Sequence, residues 1–429
     1  MLNQADNERL TRVGAGTPAG ELFRRYWQPV LLASELPERD GAPVRVRILG
    51  EDLVAFRDSE GNVGLVDAFC PHRRAPLFFG RNEECGLRCD YHGWKFARHG
   101  TCVDMPSEPR HPERSRGTLF KTKVTVTAYP TWEGGQLIWA YLGPASDVPP
   151  PPDYEWLRVP PTHLRVSKTF EDCNYLQALE GGIDNAHASF VHNEKLGDDS
   201  LVRNRDRVPK LEVRSAPYGM SSINTRDLGE HGKYVRVMHF VMPAQQMRGG
   251  LTKWSIDEVG YLPRLDGHIW LPIDDEHTFT YNMLWTSDKS TVIDEEWYQN
   301  DERRFGRAPE DMLPGFRLKK NKENDYMVDR QMQKTRNYTG IVGINTQDYA
   351  LQEGMGTIVD RSLEHLGTSD KFIIAVRRRL LEQTHVVEAG ERPAGLDPDE
   401  HRSIRPYDAI LPREADWESA FAPELVAKW

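Results

Sequence analysis

The chain has 429 residues, 38% of them hydrophobic and 10% aromatic, which is enough to fill packed cores and too much for a disordered chain. Its 65 acidic and 55 basic residues give a formal charge of −10. That balance argues against nucleic acid as the main partner, because phosphate binding needs surplus Lys and Arg, and it is compatible with docking a basic protein.

Two domains are expected at this length. The opening MLNQADNERLTRVG lacks the apolar region of a secretory signal. The longest apolar runs, such as residues 372–376, are far too short to span a bilayer. Five cysteines in so long a chain do not make a disulfide scaffold. A cytoplasmic, membrane-free protein is expected, with metal ligation as the leading role for any cysteine paired with histidine.

Residues 1–40 read as a helical lead-in, with residues 21–36 apolar at irregular helical spacing around Trp27. VRVRI (44–48) alternates apolar and polar residues, and LVAFR (53–57) and NVGLVDAF (62–69) flank a turn at 58–61, which predicts a hairpin. The run 123–143 repeats the pattern around Gly134-Gly135. The first part of the chain is therefore predicted to be antiparallel β. Pro149 to Pro152 cannot donate ladder hydrogen bonds and favour extended geometry. They place a domain boundary between residues 1–150 and 151–429. Beyond it, 169–192 reads as helical and 210–290 as β-rich, with YVRVMHFVM (234–242) and HTFTYNMLWT (277–286). The charged stretch 292–335 and the apolar stripe of 371–388 read as helical. The class is α+β, without internal repeats.

Cys70-Pro-His72 is followed by Cys89-Asp-Tyr-His92. Two thiolates and two imidazoles serve either tetrahedral zinc or a [2Fe–2S] cluster with cysteines on one iron and histidines on the other. Zinc sites usually pair like with like, whereas here each short loop offers one Cys and one His, which suits two irons. Pro71, Pro76, Gly80 and Gly93 permit tight loops, and Trp94 and Phe96 can screen the cluster. CPHRRAPLFFG and CDYHGWKF resemble the two boxes of Rieske oxygenases. The extra cysteines of the respiratory Rieske proteins are not matched. Cys85, Cys102 and Cys173 are read as structural thiols.

The segment CNYLQALEGGIDNAHASFVHN holds Asp184, His187 and His192. Asp184 and His187 share a helix face, but His187 and His192 would point about 140° apart on a regular helix, so the helix must distort or end there for both to bind one ion. Gly181-Gly182 upstream allows that. Two imidazoles and a carboxylate make a non-haem Fe(II) triad. D-x2-H-x4-H resembles the catalytic motif of the Rieske oxygenases. The resemblance makes Asp184 a bridge to the cluster of a neighbouring subunit in a trimer (or a dimer of trimers). It draws the third iron ligand from NTQDYALQEGMG, as Asp348, with Glu353 the weaker candidate.

GAGTPAGELFRRYWQPVLLASELP, NDYMVDRQMQK and QDYALQEGMGTIVDRSLEHLGTSDKFI extend the resemblance to the phthalate dioxygenase branch, over nearly the whole chain. That branch implies an oxygenase component with no small β subunit, built from an N-terminal Rieske antiparallel β domain and a C-terminal helix-grip domain of antiparallel sheet and helices. Its cofactors are a [2Fe–2S] cluster and Fe(II). Its substrates are O2 and an aromatic acid of the phthalate, benzoate or phenoxybenzoate kind. O-demethylation of a methoxylated aromatic acid is the alternative. Arg236 and Lys210 are candidates for a substrate carboxylate. Gly14 to Gly20 has the wrong spacing for a dinucleotide loop, so electrons are expected from a separate NAD(P)H-dependent flavin and Fe–S reductase. The rivals are a Rieske electron carrier without oxygen chemistry and a zinc-bound scaffold.

Overall fold

The computed structural model describes residues 2–108, 120–198, 200–250 and 264–429. The chain forms two compact units. The smaller holds Gly14–Gly16 and Phe23–Pro151, and the larger holds Met1–Val13, Thr17–Leu22 and Pro152–Trp429.

Among its described residues the smaller unit has eleven short strands: β1 (Trp27–Leu32), β2 (Val44–Ile48), β3 (Glu51–Arg57), β4 (Val63–Asp67), β5 (Arg81–Glu83), β6 (Gly86–Arg88), β7 (Lys95–Phe96), β8 (Cys102–Asp104), β9 (Ala128–Tyr129), β10 (Thr131–Gly134) and β11 (Leu137–Tyr141). They pair antiparallel in three sheets, ordered β1-β11-β10, β2-β3-β4-β9 and β5-β6-β7-β8. The hairpins expected at 53–69 and around Gly134-Gly135 are β3–β4 and β10–β11. The helix expected through Trp27 is instead strand β1, with Trp27 opposite Tyr141. Pro29 explains the difference: it disfavours a helix interior, and here it sits beside a register shift where a strand tolerates it. Val54, Phe56, Val66, Leu77, Leu87 and Phe96 pack with Cys70 and Cys89 into one buried cluster. The two Cys–His loops are thus anchored on the core itself.

The larger unit begins with α1 (Gln4–Thr11) and the start of α2 (Pro18–Arg24). Its later elements are α3 (Glu155–Arg158), β12 (Leu164–Glu171), α4 (Tyr175–Ile183), α5 (Val202–Arg205), β13 (Lys210–Ala216), β14 (Gly219–Asp227), β15 (Lys233–Val241), β16 (Gln245–Gly249), β17 (Arg264–Pro272), β18 (Thr278–Thr286), α6 (Glu295–Phe305), β19 (Met312–Leu313), β20 (Arg317–Leu318), α7 (Arg330–Thr335), α8 (Ile344–Gln352), α9 (Lys371–Glu388), α10 (Pro398–His401), β21 (Tyr407–Leu411) and α11 (Trp417–Phe421). An eight-stranded antiparallel sheet runs β12-β18-β17-β16-β15-β14-β13. β16 pairs with residues 238–241 of β15, and β21 takes the other half of the same edge at 233–237. Helix α4 lies on β16 and β17 and packs against α8, while α1 packs on α4 and α9.

Two helical expectations are corrected. Residues 169–192 are not one helix. β12 runs to Glu171, the Asn174 side chain caps α4 by accepting from Leu176 N–H at 3.1 Å, and α4 ends before Asp184. Residues 292–335 keep only α6 and α7, because Gly306 ends α6 in the left-handed region (φ 78°) and Pro309, Pro314 and Gly315 break the helical pattern beyond it. The 371–388 helix forms as expected and buries Phe372, Val376, Leu380 and Val387. The glycine pair of α4 has a packing reason. A Cβ on Gly182 would stand 2.2 Å from the Trp270 ring, and one on Gly181 would stand 1.9 Å from the Gln352 amide nitrogen.

Two buried histidines of the sheet make stability depend on pH. Burial pushes His239 down to about 4 against the Arg405 carbonyl it faces, and burial with Arg248 nearby pushes His268 down to about 3. Both are neutral in the fold, so the unfolded chain binds the extra protons as pH falls below 6.5. Their contribution is full above that pH and is lost on the way down to about 4 and about 3 respectively. The urea midpoint should therefore be lower at pH 5 than at pH 7.5. An equal midpoint would contradict the burial of these rings.

Candidate metal centres

The two Cys–His loops share one construction. Cys70 N–H donates to the Ala75 carbonyl at 2.8 Å, and the Cys70 carbonyl accepts from Arg74 N–H at 2.8 Å. Cys89 N–H donates to the Trp94 carbonyl at 2.8 Å, and the Cys89 carbonyl accepts from Gly93 N–H at 2.9 Å. Each loop thus closes over the same number of residues and holds its histidine inside the ring. Gly93 is required there: its φ is +76°, and a Cβ would meet Pro106 at 2.7 Å.

The loops bring the imidazoles of His72 and His92 together, ring centroids 4.4 Å apart. His72 stacks on Trp94 at 4.2 Å and 9°, so Trp94 is a wall of the site as expected. Cys70 and Cys89 are 1% and 2% exposed and form no disulfide. Burial, with Cys89 beside it, pushes the Cys70 thiol up to about 11, against a backbone N–H from His72 that lowers it. Among the described residues, sets of three or more ligand atoms within 4.8 Å of one another occur at His187, His192 and Asp348 and at Asp58, Glu60 and Cys85. In the second set Asp58 Oδ1 accepts from Glu60 and Asn62 N–H, so that carboxylate caps a turn.

The second centre is built where α4 stops. Asp184 caps the helix, its N–H still donating to the Glu180 carbonyl at 3.1 Å, and its Oδ1 accepts from Ala186 N–H at 2.7 Å. The backbone then turns through a short 3-10 segment at His187–Ser189. This break meets the geometric requirement read from the sequence. His187 Nε2 and His192 Nε2 come within 3.2 Å. Helix α8 supplies Asp348, whose Oδ1 lies 3.1 Å from His192 Nε2 and 3.6 Å from His187 Nε2. α8 can start there because Gly343 (φ +105°) passes close to Gly306 at the end of α6. Glu353, the weaker candidate, is engaged elsewhere, accepting from Tyr326 hydroxyl and from Asp172 N–H.

Electrostatics favour a cation at this point. Burial alone would raise the Asp348 carboxyl, yet His192 and His187 hold it below the usual range. Burial alone would lower His187, yet Asp184 and Asp348 raise it. Asp184 Oδ2 stands 3.6 Å from His187 Nδ1, longer than a hydrogen bond, and that nitrogen is buried with no hydrogen-bond partner.

A cavity beside the three ligand atoms is lined by Asn224, Arg226, Arg236, Arg248, Trp270 and Asn345, among others. Arg236, expected near substrate, does line it, but its guanidinium bonds Asp408 Oδ2 at 2.9 and 3.0 Å. Lys210 is exposed on the edge strand β13 and does not line the cavity, which corrects that expectation. Arg226 was missed. It is 6% exposed and donates to neutral oxygens, Ser189 Oγ at 3.0 Å, the Asn185 carbonyl at 2.7 Å and the Asp206 carbonyl. Burial pulls it down to about 10. The missed signal was a period-two alternation of polar residues, Asn224 and Arg226 on β14 and Gln246 and Arg248 on β16, which places them on the cavity side of the sheet.

Residues 26–130 match the Rieske [2Fe-2S] domain, and residues 140–427 match the family described as LigXa C-terminal domain like. The chain is a Rieske oxygenase. It is similar over 99% of both chains to the 3-chlorobenzoate-3,4-dioxygenase oxygenase subunit of Comamonas testosteroni, at 36% identity. The phthalate 4,5-dioxygenase oxygenase subunit of Pseudomonas putida is 37% identical over 97% of this chain and 94% of its own. The 5,5'-dehydrodivanillate O-demethylase oxygenase subunit of Sphingobium sp. is 32% identical over 100% and 91%. The phthalate-like branch expected from the motifs is the branch found. The oxygenase has an N-terminal Rieske β domain and a C-terminal domain of antiparallel sheet and helices, and no helix among its described residues is long and apolar enough to cross a membrane.

The geometry separates the two candidate carboxylates experimentally. Asp348→Asn should strip the second centre of iron, whereas Glu353→Gln should retain it, as read by metal analysis of the purified oxygenase. Iron loss in Glu353→Gln alone would reverse the assignment.

Proposed function

We propose that this Rieske oxygenase is the terminal component of an aromatic-acid oxygenase system. The smaller unit would carry the [2Fe–2S] cluster on Cys70, His72, Cys89 and His92, and the larger unit, which takes in the N-terminal helix as well as residues beyond the proline-rich boundary at 150, would carry Fe(II) on His187, His192 and Asp348. The observation that carries this reading is the convergence of two imidazole nitrogens and one carboxylate oxygen, from separate segments, within 3.6 Å of each other. Two histidines and one carboxylate leave open positions on iron for O2. A pure electron carrier would have no use for this second centre, and an α4 built to end at Asp184 would serve nothing in a scaffold.

When bound, the cluster supplies single electrons and the mononuclear iron supplies O2 binding and reduction. The protein's own groups do the rest. His187, His192 and Asp348 would hold the ion beside the cavity. Arg226, whose donors meet only neutral oxygens, is a buried cation on the cavity wall that suits a carboxylate on the substrate, and Trp270 gives a flat wall for an aromatic ring. The names of the three relatives, two ring dioxygenases and one O-demethylase of aromatic compounds, support that substrate class. Asp184, 3.6 Å from His187 Nδ1, faces that ring without fixing it and, in a trimer, would accept a hydrogen bond from a cluster histidine of the adjacent subunit. A separate reductase, using NAD(P)H, flavin and an Fe–S centre, supplies the electrons, and the system works in the cytoplasm.

Metal and sulfide analysis with electron paramagnetic resonance should find about three irons and two acid-labile sulfides per chain. Turnover of phthalate, chlorobenzoate and methoxybenzoate under labelled O2, with a competent reductase, then sorts the chemistry. Two labelled oxygens in a ring product mean dioxygenation, and formaldehyde release means O-demethylation. A colourless protein with no Rieske signal would refute the proposal. Asp184→Asn should keep both metals and lose at least about tenfold in turnover, and undiminished turnover would remove Asp184 from the electron path.

A further inference from the structure

His192 can offer Nε2 to an ion only if its own proton sits on Nδ1. A chain of fixed hydrogen bonds behind the ring decides this. His192 Nδ1 lies 2.9 Å from Oε1 of Gln347, the residue before Asp348. Gln347 is 2% exposed, and its Nε2 donates to the Ile341 carbonyl at 2.9 Å. That carbonyl can only accept, so the amide cannot flip: its NH2 faces Ile341 and its oxygen faces His192. The oxygen in turn can only accept, so the proton of a neutral His192 belongs on Nδ1. The loop behind is itself tied. Asn337 Nδ2 also donates to the Ile341 carbonyl at 3.1 Å, and Asn337 Oδ1 accepts from Gly340 N–H at 2.7 Å. His187 has no such support, because its Nδ1 is buried without a hydrogen-bond partner and 3.6 Å from Asp184.

We propose that Gln347 is a positioning residue that locks the tautomer and ring orientation of His192, so that this half of the second centre is formed before metal arrives. The proposal rests on the reading of His187, His192 and Asp348 as one metal site. Gln347 and Asp348 sit side by side on α8, so one helix both supplies a ligand and aims another. His187, lacking an equivalent partner, is the adjustable half.

The test uses the full-length protein with its Rieske cluster intact and the second centre emptied by mild chelation. Cobalt(II) is titrated back by equilibrium dialysis. Gln347→Leu keeps the bulk and removes the acceptor, and should weaken cobalt binding by about 10- to 100-fold. Gln347→Glu keeps an oxygen facing Nδ1 and should recover most of that loss. In the wild-type cobalt protein, proton NMR should also show a slowly exchanging imidazole N–H from the buried His192, a readout independent of whether the variants fold. Wild-type affinity in Gln347→Leu, equal losses in both variants, or no protected N–H would each overturn the role of Gln347. If the wild-type protein binds no cobalt while Asp348→Asn behaves identically, the metal-site reading fails, and the inference falls with it.

Discussion

Three electron-pair donors from two segments of chain converge on one point. His187 Nε2, His192 Nε2 and Asp348 Oδ1 lie 3.1 to 3.6 Å apart in a half-buried site. Lone pairs so close repel unless a proton or a cation stands among them, and removal from water raises that cost. Much of the larger unit can be read as the means of holding this arrangement. α4 is seated on the sheet by Gly182 against Trp270, is anchored from below by Glu180 between Arg361 and Arg377, and stops so that the chain can turn both histidines inward. α8 is brought alongside by the close passage of Gly306 and Gly343.

The buried charges around the cavity obey the same logic. Arg236 is matched by Asp408, and Arg264 by Asp301 and Asp266. Buried ions of this kind are stable only when paired and hydrogen-bonded. Arg226 differs, since its partners are carbonyl and hydroxyl oxygens, which satisfy its donors without neutralising its charge. A guanidinium held this way on the cavity wall can still attract an anion, whereas the paired arginines are already matched.

The smaller unit reaches its goal by repetition. Two loops of identical hydrogen-bond pattern, set on the same buried cluster, present one thiol and one imidazole each. Because the sulfurs lie inside the core and the imidazoles toward its edge, the thiol side is dry and the histidine side half-exposed. Such an asymmetry suits a group that must keep its sulfur ligands from water and pass electrons through its nitrogen side.

The two Cys–His loops, the glycine-permitted break after α4 and the β character of the first domain were legible in local sequence, since short loops with fixed spacing and period-two strands are properties of neighbouring residues, whereas the class of the second domain came from resemblance. Asp348 came from resemblance rather than spacing, and only packing separates it from Glu353: one carboxylate is turned to the histidines and the other to Tyr326 and Asp172. The strand at Trp27–Leu32 and the strand–helix division of 169–192 went unread because pairing with β11 and β18 overrides local periodicity. The cavity residues were the least legible. Arg236 and Lys210 look alike as strand cations, and nothing short of the folded sheet shows that one faces Asp408 inside while the other stands on an outer edge. Which side of a strand meets the interior is settled by what packs on the sheet, and that information is spread over the whole chain.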